Sequence, residues 1–396
     1  MEKLLFKSMQ FLAALKESLK LGFTSFGGPV AHLAYFREAY VERLKWLSEE
    51  KFAELLAVCQ FIPGPASSQL GAAIGYEKGG WLGALGAWIG FTLPSAVLMI
   101  LFVTTMGVLS EWALSGAIHG LKIVAVAVVA NAVLGMQQKL CPNLKGICIA
   151  VIAAVLMIVF RAPWIQPLLI VLGGILGALL FRRGEGQNTD PEKKKLKHPV
   201  GALIVLSCFL IGVFTLCSVN TSHNEVTMLT GLAKTGSMVF GGGHVVLPLL
   251  EAETVAKGLM TQDQFLAGYG FAQAVPGPLF TFGAYIGAFV GLNESAWLGG
   301  LIGVVMIFLP GMILLTIGLP IWNAYKHVSV IKASLKGASA AVVGLILAAL
   351  VYMLQAGAIS TVVEVIIAVT LAVVVHKKLV PVWAVVLSGV AIGFAL

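Results

Sequence analysis

Two short elements in this chain offer chemistry at matched spacing: Gln60-x-x-Pro63-Gly64-Pro65 and Gln273-x-x-Pro276-Gly277-Pro278. Proline breaks the i→i−4 hydrogen-bond ladder and brings no donor, and glycine reaches backbone conformations closed to other residues. Each element therefore predicts two half-helices joined by unwound backbone. Proline also favours the first turn of a helix. Pro65 thus opens a half-helix whose free N–H groups, near Ser67 and Ser68, are suited to an anion, and Pro278 opens its counterpart with Thr281 nearby. One such element reads as a packing kink; two at matched positions favour a binding site. A second pair, Phe26-Gly27-Gly28-Pro29 and Phe240-Gly241-Gly242-Gly243, reads as close backbone approach or another broken helix, with tight helix packing as the alternative. His32 and His244 stand beside these glycines without aligning, and read as polar packing residues rather than proton carriers.

Cations come next. Lys122 and Lys336 fall inside apolar runs at equivalent positions. A lysine near a bilayer centre costs about 2.5–3.5 kcal/mol on insertion scales, which points to a water-filled path or an anionic partner. Snorkelling to a nearby surface is the competing reading. Lys20 and Lys234 are similar but closer to the ends of their runs. Acidic residues are nearly absent from the interiors of the runs, which argues against a carboxylate proton relay and for an anionic substrate. No Walker, HExxH or GxSxG motif occurs, so neither ATP hydrolysis nor covalent catalysis is expected, and no metal or cofactor. The cysteines, Cys59, Cys141, Cys148, Cys208 and Cys217, form no CxxC pair and read as buried reduced thiols.

The elements that must position these residues are membrane helices. Apolar residues make up 59% of the chain and charged residues 11%, against about 45–50% and 25% in soluble domains. Apolar runs lie near Met9–Tyr35, Phe52–Tyr76, Trp81–Met106, Ala113–Leu134, Gly146–Phe160 and Pro163–Phe181. Another follows at Val200–Cys217, then runs near Met228–Leu250, Phe265–Leu292, Ala296–Pro320, Val330–Leu354, Ile359–Val375 and Val380–Ala395. About 20 apolar residues span a bilayer core. The net charge of +8 does not indicate nucleic acid, because the basic residues cluster between the runs. The opening Met1-Glu2-Lys3-Leu4-Leu5-Phe6-Lys7 resembles the start of a signal peptide, but Lys16, Glu17 and Lys20 interrupt its apolar run. It is expected to stay as an amphipathic entry into the first segment.

The second half repeats the first at an offset of about 214 residues. Lys20-Leu21-Gly22 aligns with Lys234-Thr235-Gly236, Trp81-Leu82-Gly83 with Trp297-Leu298-Gly299, Leu93-Pro94 with Leu309-Pro310, and Leu121-Lys122 with Leu335-Lys336. The expected fold is therefore an all-α integral membrane protein of two homologous halves, about six membrane segments each. Residues 1–181 form the first repeat, 182–199 a basic cytoplasmic linker, 200–226 an extra central span and loop, and 227–396 the second repeat. If every segment crosses, the unpaired span turns the second half over and makes an inverted-topology repeat; a parallel repeat would need one re-entrant segment. The same count puts Lys139, Lys145, Lys326, Lys332, Lys377 and Lys378 inside but Arg37–Lys51 outside, against the positive-inside rule. Either the early segments do not simply cross, or Arg37–Lys51 lies along the interface.

Phe23-Thr24-Ser25-Phe26-Gly27-Gly28-Pro29 followed by Gln60-Phe61-Ile62-Pro63-Gly64-Pro65, with both motifs recurring in the second half, resembles the chromate ion transporter family in its long, two-domain form. The resemblance covers nearly the whole chain, with one departure: Gly243 stands where the first motif has a proline. It implies a protein of the bacterial plasma membrane that exports chromate on ion gradients rather than ATP. The partners expected are chromate, with sulfate as the alternative oxyanion, and the lipid bilayer; association of copies is left open. The candidate substrate-binding residues are Gly27, Gly28, Gln60, Pro63, Gly64, Pro65, Ser67, Ser68 and Lys122, and Gly241, Gly242, Gln273, Pro276, Gly277, Pro278, Thr281 and Lys336. The rivals are an anion channel with the same site, a membrane enzyme acting on lipid phosphates, for which no nucleophile or metal cluster is visible, and a non-transporting sensor. A cysteine replacing Gln187 in a cysteine-free background is expected to resist impermeant thiol reagents in intact cells and to react in inverted vesicles. Labelling from outside would reverse the orientation.

Overall fold

In the computed structural model the described residues are 2–26, 28–106, 111–160, 165–181, 221, 223–239, 246–325, 329–355, 357–377 and 379–395, with isolated positions between 207 and 215. The expected linker at 182–199 lies outside them, as does most of the Val200–Cys217 run. Among the described residues the structure is helical, apart from one isolated bridge between Leu292 and Ser295.

The first apolar run is not one rod. α1 (Glu2–Thr24) stops before Ser25 and Phe26, and α2 (Gly28–Phe36) leads into a π-helical turn, Arg37–Arg43. That turn comes back beside α1: the Tyr40 hydroxyl lies 2.7 Å from Ser18 Oγ, and Arg43 pairs with Glu17 at 3.0 Å. The second run folds back in the same way. α3 (Glu49–Phe61) ends at the first Pro-Gly-Pro, and the first arm of α4 (Ala66–Met106) returns, so that Lys51 meets Glu77 at 3.2 Å. α4 then reverses at Gly79 and Gly80, where φ at Gly80 is +61°. The reversal is tight because a methyl group on Gly75 would collide with the Gly83 carbonyl. The two early runs thus give helix pairs that return to the end they came from, rather than two through-going segments. Arg37–Lys51 stays at that same end. Its cations are matched there, Arg37 with Glu42 and Glu49 and Lys51 with Glu77, while Lys78 sits 5.0 Å over the Trp46 ring. The hydrogen bonds it donates to Glu49, then the charges of Glu49 and Glu42, hold the Arg37 guanidinium above its ordinary range.

The remaining helices of the first half are α5 (Glu111–Leu140), α6 (Leu144–Phe160) and α7 (Ile165–Leu180). The second half repeats the pattern: α8 (Asn224–Met238), α9 (Val246–Thr254), α10 (Gln262–Ala274), a 3-10 turn at Leu279–Thr281, α11 (Phe282–Val290), α12 (Ala296–Tyr325), α13 (Ser329–Gln355), α14 (Val362–His376) and α15 (Val382–Ala395). α11 and α12 correspond to the two arms of α4, and Gly287 meets Gly299 as Gly75 meets Gly83. α3 and α10 start at equivalent caps, Ser48 accepting from the Lys51 N–H and Thr261 from the Gln264 N–H. Lys20 and Arg43 are bridged by Glu17 in one half, and the equivalent Lys234 and Lys257 by Glu253 in the other, at 2.5 Å each. The two glutamates come from non-equivalent positions, so the cation pair is repeated and its counter-ion is not.

The halves interlock. The second arm of α4 and its counterpart α12 run in opposite senses, with Trp88 against Phe308 and Ile100 against Gly300. α5 packs on the last two helices of the other half: His119 faces Glu364 and Asn131 faces His376 along α14, while Gly116 and Gly120 meet Gly393 and Gly389 of α15. α13 reciprocates on α6 and α7, through Gly344 at Ala150, the Tyr352 hydroxyl donating to the Met157 carbonyl, and Gly337 at Gly173 and Gly177. Among the described residues four helical stretches, Ala66–Met106, Ser115–Gln138, Ala296–Leu319 and Ala333–Gln355, are long and apolar enough to cross a membrane, and shorter apolar helices accompany them. Val155, Val159, Leu179, Val362, Ile366 and Val369 expose an apolar outer surface on α6, α7 and α14.

Backbone contact at the glycine seams generates a stability prediction. Gly337→Leu would drive a side chain into the Gly173 carbonyl and the Gly177 backbone, whereas Gly135 has no neighbour within 4 Å. Overpacking of this kind costs about 1–3 kcal/mol. Gly337→Leu is expected to lower the melting temperature in detergent and Gly135→Leu to leave it within error, as read by tryptophan fluorescence or size-exclusion survival.

Candidate functional site

Both Pro-Gly-Pro elements break their helices with one backbone pattern. Ile62 and Val275 are extended at the ends of α3 and α10, and Gly64 and Gly277 take φ of +129° and +102°. Only glycine holds that region at little cost. Each break is tied to the other half. The Gly64 N–H donates to the Val239 carbonyl at 2.7 Å, and the Gly277 N–H to the Ser25 carbonyl at 2.9 Å. Ser25 and Val239 are themselves equivalent residues, each just past the end of α1 or α8. The breaks therefore cross reciprocally.

Two helix prolines complete the crossing. Gly64 lies against Gly311, which follows Pro310 in α12, and Gly277 lies against Ser95, which follows Pro94 in α4. Neither proline has an N–H, so the carbonyls of Gly90 and Met306 lose their helical donors. The first break is fastened by Gln69, whose Nε2 donates to the carbonyls of Pro63 and Gly311, both at 2.9 Å. The aligned residue in the second half is Phe282, so the second break has no such clasp. There the Thr281 hydroxyl donates to the Pro278 carbonyl at 2.8 Å and closes its own turn.

Around the crossing lie buried polar atoms that meet no hydrogen-bond partner at ordinary geometry among the described residues. They are Ser25 Oγ, Ser68 Oγ, Gln69 Oε1, Thr92 Oγ1, Thr235 Oγ1, Gln273 Nε2 and both ring nitrogens of His32. Gln69 and His32 are wholly inaccessible. The His32 ring stands edge-on to Phe91 at 5.2 Å with the Ser25 backbone beside it, and the Phe91 carbonyl borders Gly277. Buried polar groups ordinarily find partners. A cluster of them beside unwound backbone is what a site for water and a polar solute requires.

The expected residues separate into groups. Pro63, Gly64, Pro65, Ser67 and Ser68 sit at the first break, buried or nearly so, and Pro276, Gly277, Pro278 and Thr281 at the second. Gln273 borders its break half-buried, while the equivalent Gln60 is exposed. Gly28 is described as the first residue of α2, and Gly27, Gly241, Gly242, Gly243 and His244 lie outside the described residues. Lys122 is not at the crossing. Its Nζ pairs with Asp263 Oδ1 at 2.8 Å, near the start of α10, and Asp263 is about 16 Å along the helix axis from Ala274. Lys336 is exposed on α13. Ser25, Gln69, Thr92, Ser95 and Thr235 were missed by the sequence reading, and His32 was read as packing. Gln69 had a visible signal, an amide one turn after Pro65 in an apolar run. Thr92 and Thr235 had none, since a threonine in an apolar helix commonly bonds its own backbone.

The chain matches known proteins over most of its length. The family model described as chromate transporter matches residues 12–178 and again 226–394. An uncharacterised transporter of Methanocaldococcus jannaschii is 31% identical over 337 residues, covering 83% of this chain and 81% of the relative. A chromate transport protein of Pseudomonas aeruginosa is 29% identical over 349 residues, 83% of this chain and 77% of its own. One from Cupriavidus metallidurans is 25% identical over 350 residues, 84% and 80%. No solved structure matches the chain at a significant level. With both of its halves matched, this chain belongs to the chromate transporter family and is a multi-pass membrane protein that transports ions.

Proposed function

We propose that the chain is a secondary transporter that exports chromate, a tetrahedral oxyanion dianion, through the crossing of the two breaks. The observation that carries this reading is the reciprocal pair of hydrogen bonds, Gly64 to Val239 and Gly277 to Ser25, set among buried polar atoms with no partner among the described residues. The first arm of α4 starts at the first break, where Ser67 and Ser68 add hydroxyls to its free N–H groups. Among the described residues named at the crossing the side chains are neutral and none is a carboxylate, which suits a dianion that must be released again. That two relatives, from Pseudomonas aeruginosa and Cupriavidus metallidurans, are chromate transport proteins supports chromate as the substrate. Sulfate has nearly the same shape and charge and is the alternative.

The fold-back of the early helices supports an inverted repeat. In each half four stretches run through: in the first, the second arm of α4, then α5, α6 and α7. Four crossings return the chain to its starting face, and a fifth within 200–217 turns the second half over. The antiparallel run of α4 against α12 fits that inversion. On this count Arg37–Lys51, Lys139, Lys145, the 182–199 linker, Lys326, Lys332, Lys377 and Lys378 share one face, which the positive-inside rule makes cytoplasmic. The earlier conflict over Arg37–Lys51 came from counting fold-backs as crossings. Cysteines replacing Glu77 and Asn293, at the equivalent reversals, are expected to be labelled from opposite faces. Labelling from one face would rule the inversion out.

A dianion leaving a cell that is negative inside moves down the electrical gradient. Each charge gains about 2.3 kcal/mol per 100 mV, or roughly 4.6 for two, enough for a concentration ratio above about 10³ without ATP. The test is chromate uptake into inverted vesicles with potential and pH gradient clamped separately and sulfate as competitor. Uptake is expected to rise with potential. Gly64→Leu and Gly277→Leu, each at a left-handed glycine against backbone or Ser95, are expected to cut it roughly tenfold or more with protein still in the membrane, equivalent to about 1.4 kcal/mol or more. Uptake indifferent to potential would remove the energetic argument, and normal uptake in both mutants would reduce the motifs to packing kinks.

A further inference from the structure

The two halves repeat one another in sequence but not in packing, and the difference is concentrated at one helix. α10 lies along α5 and against α15. Gly270 abuts the Leu121 carbonyl, Leu121 is 1% exposed, and Lys122 closes on Asp263 at 2.8 Å. The equivalent of α10 is α3, and the equivalent of α5 is α13. α3 instead packs on α4 and α12 rather than along α13. Leu335, the match of Leu121, is half-buried. Lys336 and Glu50, the matches of Lys122 and Asp263, are both exposed. The register of this comparison is secure, because Ser48 and Thr261 cap α3 and α10 at the same position and Phe52 aligns with Phe265. Glu50 thus stands two residues after its cap as Asp263 stands two after its own.

We propose that Lys122–Asp263 and Lys336–Glu50 are alternate latches of a carrier cycle. The structure is the state in which α10 is latched on α5 while α3 stands off α13. Transport to the other state would lift α10 from α5, parting Lys122 from Asp263, and bring α3 onto α13, joining Glu50 to Lys336. Two related halves that exchange conformations need no other symmetry to expose one site to each face in turn. The inference rests on the transporter reading and narrows it: a site sealed on one side at a time is a carrier and not a channel. It gives the lysines a positioning role that acts through α3 and α10. On the orientation proposed above, the Lys336–Glu50 latch lies toward the cytoplasmic face.

The latches are weak by construction, which the cycle requires. Asp263 is 56% exposed, so its pair with Lys122 is screened and can break at each turnover. Lys122 Nζ is held by Asp263 near the start of α10 and not at the crossing, so its loss should alter the rate of the cycle more than affinity at the site.

Paired cysteines test this in a cysteine-free background. Lys122→Cys with Asp263→Cys, and separately Glu50→Cys with Lys336→Cys, are oxidised in membranes and scored for intramolecular cross-links. Both pairs are expected to cross-link, each to arrest chromate uptake, and reduction to restore it. In the four-cysteine protein one molecule is expected to hold one cross-link or the other, not both. Lys122→Glu is expected to slow turnover about tenfold, and adding Asp263→Lys to recover most of it with little change in half-saturating chromate. Failure of Glu50→Cys and Lys336→Cys to cross-link would overturn the proposal, as would continued uptake through the cross-linked 122/263 protein or both links in one molecule. Cross-linking is scored without substrate. Exclusive cross-links in a protein that moves no chromate would therefore leave the latches standing and sink the substrate reading, and normal chromate uptake with no cross-link effect would do the reverse.

Discussion

A helix interrupted inside an apolar layer leaves backbone N–H and C=O groups that lipid cannot satisfy. That constraint organises this molecule. The break at Pro63-Gly64-Pro65 and the break at Pro276-Gly277-Pro278 are each answered by a carbonyl just past an interrupted helix of the other half, at Val239 and Ser25. Neither half can satisfy its own break in this arrangement. The bonds that make the interruptions tolerable also hold the two repeats at one crossing, and the polar groups that surround it follow from the same geometry.

The rest of the packing keeps that crossing in register. Small residues let backbones meet where α5 lies on α15 and where α13 lies on α7, so each half is clasped by the last helices of its partner. In a membrane such close approach takes the place of the hydrophobic effect between helices. Divergence is confined to details within this frame. Gln69 clasps the first break to Gly311, while Phe282 occupies the matching place in the second. Glu17 and Glu253 neutralise equivalent cation pairs from different helices. The two breaks are therefore alike in backbone and unlike in lining.

Unequal packing of α3 and α10 is consistent with this view. Chemically similar helices, each with a capped start and an acidic residue two positions on, sit differently against their neighbours. The caps fall at the same position, but Gly270, which lets α10 close on the Leu121 carbonyl, has Ala57 as its match in α3. Each one also meets a different neighbour, α10 lying along α5 and α3 on α4 and α12.

Much was legible before the fold was known. The composition and apolar runs specified membrane helices, the aligned motifs specified two related halves, and proline flanking glycine specified two breaks, because these depend on local backbone chemistry and on the length of apolar runs. Ser67 and Ser68 at a half-helix start were readable for the same reason. The charge pattern left the fold-back of the first two runs as one of two alternatives, because an apolar stretch of about 25 residues reads the same whether it crosses or returns; the returning pairs, Arg43 with Glu17 and Lys51 with Glu77, are set by tertiary contact. Nor could spacing assign Lys122 to Asp263, 141 residues away in the chain and on the other repeat. Local patterns reached the elements and the breaks. Which break meets which carbonyl, and which charge meets which, depended on how two halves lie across one another, and a one-dimensional pattern carries no record of that.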